Sequence, residues 1–334
     1  MSNFQDNRDL SVAVLSSNPN QSIYVQGAPG NGKTSLIYAV AQQLGIDRDH
    51  IVIFRPSLHD PVDILGIPHV NGDKCTHWAP PTWVHNLKQG RWMLGIDELP
   101  QGQIMMQNAL AGLMLDRFIG EVTLSREVVI MATGNRTTDK AGANRVVGQL
   151  ANRVLMLEME SSLDGWCEWA LDHKLPSWYI QFLRFRPNLL NDYQPDRFSN
   201  PTERTHHMVA TLPETLTPSQ LFHAAKGLIG EGAAAEMVGF KKIADAMPDI
   251  DKILQDPEKS PVPTDPATLY AVSGALAYRA NKDNFDKVAA YLKRLPPEFL
   301  VMSWRDAVKL CPDITNTKTF AELAQKYASV LSGQ

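Results

Sequence analysis

A chain of 334 residues exceeds what one hydrophobic core usually organises, so two or three domains are expected. A hydrophobic content of 44%, a charged content of 20% and a net charge of −4 describe a globular protein without a bulk electrostatic footprint for nucleic acid. Cys75, Cys167 and Cys311 are too scattered, and odd in number, for a disulfide framework or a thiolate metal site.

No apolar run approaches the ~20 residues that span a bilayer, so no membrane association is expected. The polar start, with Asp6 and Asp9 before Leu10, is unlike a signal peptide, and the chain reads as cytoplasmic. His69, His77 and His85 recur without a recognisable ligand pattern, and His206-His207 would point to different faces of a helix.

In chain order, a short helix over Leu10–Ser16 and a turn at Ser17-Asn18-Pro19-Asn20 come first. An apolar strand, Ile23-Tyr24-Val25, then runs into Gly27-Ala28-Pro29-Gly30-Asn31-Gly32-Lys33-Thr34, and a helix follows from Lys33 to Leu44. That is the G-x-x-x-x-G-K-[ST] pattern in the setting it needs, between a strand and a helix N-terminus. The glycines permit backbone conformations closed to other residues, so successive N–H groups can turn inward around a phosphate. The helix end adds unpaired N–H groups and partial positive charge. Lys33 is expected to reach the β- and γ-phosphates and the Thr34 hydroxyl to ligate magnesium. Gly27, Pro29, Gly30, Asn31, Gly32, Lys33, Thr34 and Ser35 form the expected binding set for a nucleoside triphosphate.

Ile51–Phe54 reads as a strand buried on both faces. Asp60–Leu65 suggests a capped helical turn, and Gly66–Trp78 a hairpin about Asn71-Gly72. Trp92–Ile96 is a buried strand ending in Asp97-Glu98, where open α/β sheets bind ligands. Asp97 is expected to hold Mg²⁺ through water and Glu98 to polarise an attacking water. Gln103–Leu115 is a helix and Arg117–Leu124 a second hairpin, turning near Gly120-Glu121. The strand Val128–Ala132 leads to Thr133-Gly134-Asn135, where the Asn135 amide could orient water against the γ-phosphate. A fifth strand, Arg153–Leu157, follows the segment with Arg145. Alternating strands and helices to about residue 160 imply a parallel sheet of five strands.

Helical periodicity dominates thereafter. Helices are expected over Leu163–Lys174, Ser177–Arg186, a stretch opened by Pro201-Thr202-Glu203-Arg204, Pro218–Ile229 and Ala233–Met247. A proline-rich stretch, Gln255–Asp265, precedes a helix capped by Asp265 and begun by Pro266. Helices near Phe285–Leu295, Pro297–Leu310 and Lys318–Leu331 finish the chain.

These pieces together resemble the AAA+ ATPases, and within them the MoxR-like group of the helix-2-insert clade. The resemblance rests on Gly27–Thr34 (Walker A), Ile96-Asp97-Glu98 (Walker B), Asn135 (sensor 1), Asn152-Arg153 (arginine finger), Arg204 (sensor 2) and the two hairpins. It implies a P-loop sheet with helices on both faces over residues 1–160, an all-α lid over 161–236 and a helical C-terminal extension over 237–334. It further implies Mg²⁺-dependent ATP hydrolysis with Glu98, Asn135, Arg153 and Arg204 as catalytic residues, and Thr34 and Asp97 at the metal. A homo-oligomer, a hexameric ring in this group, and a protein partner with a von Willebrand factor A domain are implied as well. Arg145 and Arg117 are rivals of Arg153 for the role in trans. The aromatic-apolar-Gly pore loop of threading relatives is missing. A nucleic-acid motor of helicase or loader type is the alternative, disfavoured by the charge balance. A GTPase would need Asn-Lys-x-Asp, and the nearest match, Asn281-Lys282-Asp283-Asn284, ends in Asn.

Overall fold

The computed structural model describes residues 2–72, 74–136, 139, 148–150 and 153–327. Its chain divides into two compact units, one of Met1–Ser162 with Tyr193–Asp196, the other of Leu163–Asp192 with Arg197–Gln334.

The first unit opens with helix α1 (Phe4–Ser17), strand β1 (Ile23–Gly27), helix α2 (Lys33–Gln43) and strand β2 (Ile51–Phe54). Next come the short helix α3 (Val62–Leu65), a hairpin of β3 (Ile67–Val70) and β4 (Thr76–Ala79), and α4 (Thr82–Asn86). Strand β5 (Met93–Ile96), helix α5 (Ile104–Asp116), a small hairpin of β6 (Phe118–Ile119) and β7 (Val122–Thr123), β8 (Val129–Asn135) and β9 (Leu155–Met159) complete it. The expected five-stranded parallel sheet is present, in the order β2-β5-β8-β1-β9.

Helices cover both faces of this sheet because its inner strands carry apolar side chains on both sides over most of their length. Alternate side chains of a strand leave on opposite sides. Ile23, Val25, Met93, Val129 and Met131 join Leu36, Ile37 and Val40 of α2 in one core. Tyr24, Leu94, Ile96, Val128, Ile130 and Ala132 join Met106, Leu110 and Met114 of α5 in the other.

Local chemistry moves some boundaries. Helix α1 begins at Phe4 rather than Leu10 because Asn3 and Asp6 form a reciprocal cap. Strand β9 lies two residues later than expected, since Arg153 stands in a turn, its amide bonded to the Leu150 carbonyl. The side chain of Asp60 does not cap α3; instead the Asp63 carboxylate accepts from the Asp60 amide at 3.0 Å. The two hairpins meet: Glu121 Oε1 accepts from the Trp78 amide at 3.3 Å and lies 3.5 Å from His77 Nδ1.

Among its described residues the second unit contains helices and no strand, as expected for the chain beyond the sheet. It comprises α6 (Leu163–Asp172), α7 (Ser177–Phe185), α8 (Glu203–Ala210), α9 (Pro218–Ile229) and α10 (Glu231–Asp245). It continues with α11 (Ile250–Gln255), α12 (Pro266–Arg279), α13 (Phe285–Leu292), α14 (Pro297–Leu310) and α15 (Lys318–Lys326). Residues 236 and 237, where lid and extension were expected to part, fall inside α10. The unit holds two apolar cores, and α12 serves both: Ala267 and Ala271 face one, Leu269, Val272 and Leu276 the other. A buried ion pair, Arg184 on α7 with Asp306 on α14, ties them further, with Nη2 to Oδ1 at 2.8 Å.

Among the described residues, no helix is long and apolar enough to cross a membrane.

Candidate active site

The strand order places the chemistry-bearing residues. The glycine loop leaves the carboxyl end of β1 and the acid pair leaves that of β5, and β8 runs between these strands. Three strand tips thus converge at one edge of the sheet, where open α/β folds bind ligands.

Backbone conformation shapes the loop. Gly30 and Gly32 both have positive φ, +75° and +92°, and Gly32 stands at the N-terminus of α2. Gly27 has no room for a side chain, because a Cβ there would lie 2.3 Å from the Met159 carbonyl oxygen. Pro29 is half-buried on the loop, and Ser35 is exposed in the first turn of α2.

The Lys33 ammonium is buried under the loop. It donates to the carbonyls of Gly27 at 2.9 Å and Ala28 at 2.6 Å, and to Asn31 Oδ1 at 3.2 Å. Asn31 in turn donates through Nδ2 to the Met159 carbonyl at 3.0 Å, which fastens the loop to the end of β9. A buried cation beside a glycine-rich loop and a helix N-terminus is an arrangement that suits an anion.

Opposite the lysine, a hydroxyl–carboxylate cluster joins three elements. Asp97, buried at the end of β5, accepts from Thr34 Oγ1 at 2.9 Å and 3.0 Å through its two oxygens. Thr133 on β8 donates to Asp97 Oδ1 at 2.7 Å and accepts the Glu98 amide at 3.1 Å. Arg55, immediately after β2, reaches Asp97 Oδ2 with Nε at 3.3 Å. Glu98 is half-buried and adopts a left-handed backbone, φ 59° and ψ 42°, a costly conformation for a residue with a side chain. Asn135 ends β8 directly opposite Gly27 in the parallel register and is half-buried.

The oxygens of Thr34 and Asp97 are hard donors set close together. A pair of this kind suits a magnesium ion that takes its remaining ligands from phosphate and water. No group of three or more metal-binding side chains occurs among the described residues.

The arginines separate. Arg153 is exposed in the turn before β9, on the same unit as the loop. Arg204 is exposed in the first turn of α8, in the helical unit, where Thr202 and Thr205 cap the helix. Arg117 is committed within its own unit: Nη2 donates to the carbonyls of Pro19 at 3.3 Å and Val128, and to Asn20 Oδ1 at 3.1 Å. Burial lowers its pKa to about 10. Arg145 and Asn152 lie outside the described residues.

Two members of the cluster, Thr133 and Arg55, were not singled out from the sequence. Each had a local signal, as a hydroxyl at the tip of a buried strand and as the first charge after one. Only the adjacency of β2, β5 and β8 brings both to Asp97.

No protein-family model matches the chain, and no curated protein matches it. Among solved structures, it is similar to an arginine-for-lysine mutant of RuvB from Thermotoga maritima. The identity is 15%, the TM-score 0.39, and 81% of each chain is covered.

Proposed function

We propose that this chain is a Mg²⁺-dependent ATPase of the AAA+ kind, MoxR-like in type, that works as a hexameric ring and remodels or activates a partner protein complex. The observation that carries this reading is the linked cluster Thr34–Asp97–Thr133–Glu98, which couples the phosphate loop to a candidate general base across β5 and β8.

The loop amides and the α2 terminus bind the triphosphate tail, and Lys33 exchanges its carbonyl partners for phosphate oxygens. Thr34 and Asp97 hold magnesium, which neutralises charge on the phosphates. Glu98 takes the proton of the attacking water as the water oxygen bonds to the γ-phosphorus and the bond to the β-phosphate oxygen breaks. Asn135 orients that water. Arg153 of a neighbouring subunit and Arg204 of the helical unit supply guanidinium charge to the transition state. In the wider reading, residues 161–236 act as a lid, 237–334 as a helical extension, and the partner carries a von Willebrand factor A domain.

The test is Glu98→Gln in the full chain. ATP binding is expected to persist while turnover falls by roughly two orders of magnitude or more. Hydrolysis at the parent rate would remove Glu98 from the mechanism. The ATP-bound variant should also capture a folded protein partner by affinity purification; ATPase stimulation by DNA would favour the nucleic-acid motor instead.

A further inference from the structure

A carboxylate offers about four lone-pair directions. At Asp97 three donors approach them: the Thr34 hydroxyl, shared between the two oxygens, the Thr133 hydroxyl and Arg55 Nε. A cation that approaches Oδ2 of this carboxylate meets the positive charge of Arg55 already beside it.

The donors differ in how readily they leave. Thr133 is fully buried in β8, and Thr34 is carried by the first turn of α2. Arg55 is different: its side chain is 48% exposed, its bond of 3.3 Å is the longest of the set, and it follows β2 on irregular backbone. A half-exposed ion pair of this length is worth little and breaks readily.

We propose that Arg55 is a positioning residue that competes with the divalent cation for Asp97, so that the metal binds well only together with a polyphosphate. The inference rests on the ATPase reading above. The competition follows from charge. A bare cation at the Asp97 carboxylate is repelled by the guanidinium beside it or must take that guanidinium's counter-charge away. A nucleotide brings several negative charges to the adjacent loop, and the released Arg55 gains a new counter-charge. Metal and triphosphate therefore favour one another, and the coupling acts equally in both directions. Thr34 and Thr133 remain in place and preserve the orientation of the carboxylate.

The experiment measures Mn²⁺ binding by electron paramagnetic resonance, with and without ATP, in the full chain carrying Glu98→Gln to block turnover. Adding Arg55→Ala should tighten Mn²⁺ binding without nucleotide by about five-fold, with a smaller change when ATP is present. Arg55→Lys should stay near the parent, since a cation remains within reach. Arg55→Gln retains the aliphatic stem and should behave like Arg55→Ala, which serves if the alanine variant folds poorly by circular dichroism. Mn²⁺ affinity without nucleotide within about two-fold of the parent in the folded variants would overturn the proposal, as would a tightening of equal size with and without ATP. If the Glu98→Gln chain binds no ATP, the proposed function fails, whereas the Mn²⁺ affinities without nucleotide still decide the competition.

Discussion

Thr133 Oγ1 donates to Asp97 Oδ1 at 2.7 Å and in the same position receives the amide of Glu98 at 3.1 Å. One hydroxyl on β8 thus fixes both acids of β5, one through its side chain and the other through its backbone. The strained left-handed conformation of Glu98 is held by this bond, among others.

Thr133→Val keeps the shape and removes the hydroxyl. It leaves the Glu98 amide without this acceptor and Asp97 without one donor, at a cost of about 1–3 kcal/mol in stability. Nucleotide affinity should change little while hydrolysis falls about ten-fold or more, and Thr133→Ser should restore most of it. Titration with a fluorescent nucleotide, steady-state turnover and thermal melting together check this.

Lys33 is buried against the loop's own carbonyls, so its removal affects the loop before any ligand arrives. Lys33→Ala should abolish measurable nucleotide binding by calorimetry, and Glu98→Gln should not. Retained micromolar affinity in the alanine variant would exclude the phosphate-binding role of the loop.

Arg153 and Arg117 should behave oppositely. Arg153→Ala is expected to bind nucleotide, keep its melting temperature and lose ~10³-fold or more in turnover. Mixed with Glu98→Gln subunits it should regain activity, because some interfaces then pair an intact Glu98 with an intact Arg153. Arg117→Ala should instead lower the melting temperature by loss of its bonds to Pro19, Asn20 and Val128, and should show no complementation.

His206 makes the helical unit acid-sensitive. Its Nε2 faces the Leu189 carbonyl at 2.7 Å, so that nitrogen carries the proton, and Nδ1 accepts from the Tyr179 hydroxyl at 2.8 Å. Burial lowers its pKa from 6.5 to about 4. Between those values the unfolded chain binds a proton that the folded chain refuses, so stability falls as pH drops from 6.5 towards 4 and then levels off. The loss is on the order of 3 kcal/mol. Urea unfolding at pH 7 and pH 4.5 should show a smaller drop for His206→Gln than for the parent.

Much of this was legible in the chain. The glycine-rich loop, the apolar strand before it, the acid pair after Ile96 and both hairpins carry local signals, and strands β2, β5 and β8 stand where apolar runs predicted them. The opposite faces of His206 and His207 were also readable, from helical spacing alone, and His206 is buried while His207 is exposed. The start of α1 was missed because a short cap at Asn3 outweighs weak periodicity. The short helices α4 and α11 were missed, although α11 had a local signal in Asp249, whose side chain accepts from the Asp251 amide as its N-cap.

Local order of residue types determined which side chains could bind phosphate, metal and water, since these capacities belong to the residues and their immediate backbone. Tertiary structure alone decided that Arg55, Thr34 and Thr133, far apart in the chain, meet on one carboxylate, and that Arg117 bonds to Pro19, Asn20 and Val128 of its own unit. The reason is the order of the strands: which strand neighbours which is set by burial of two apolar faces at once, a property of the whole sheet that no single stretch encodes.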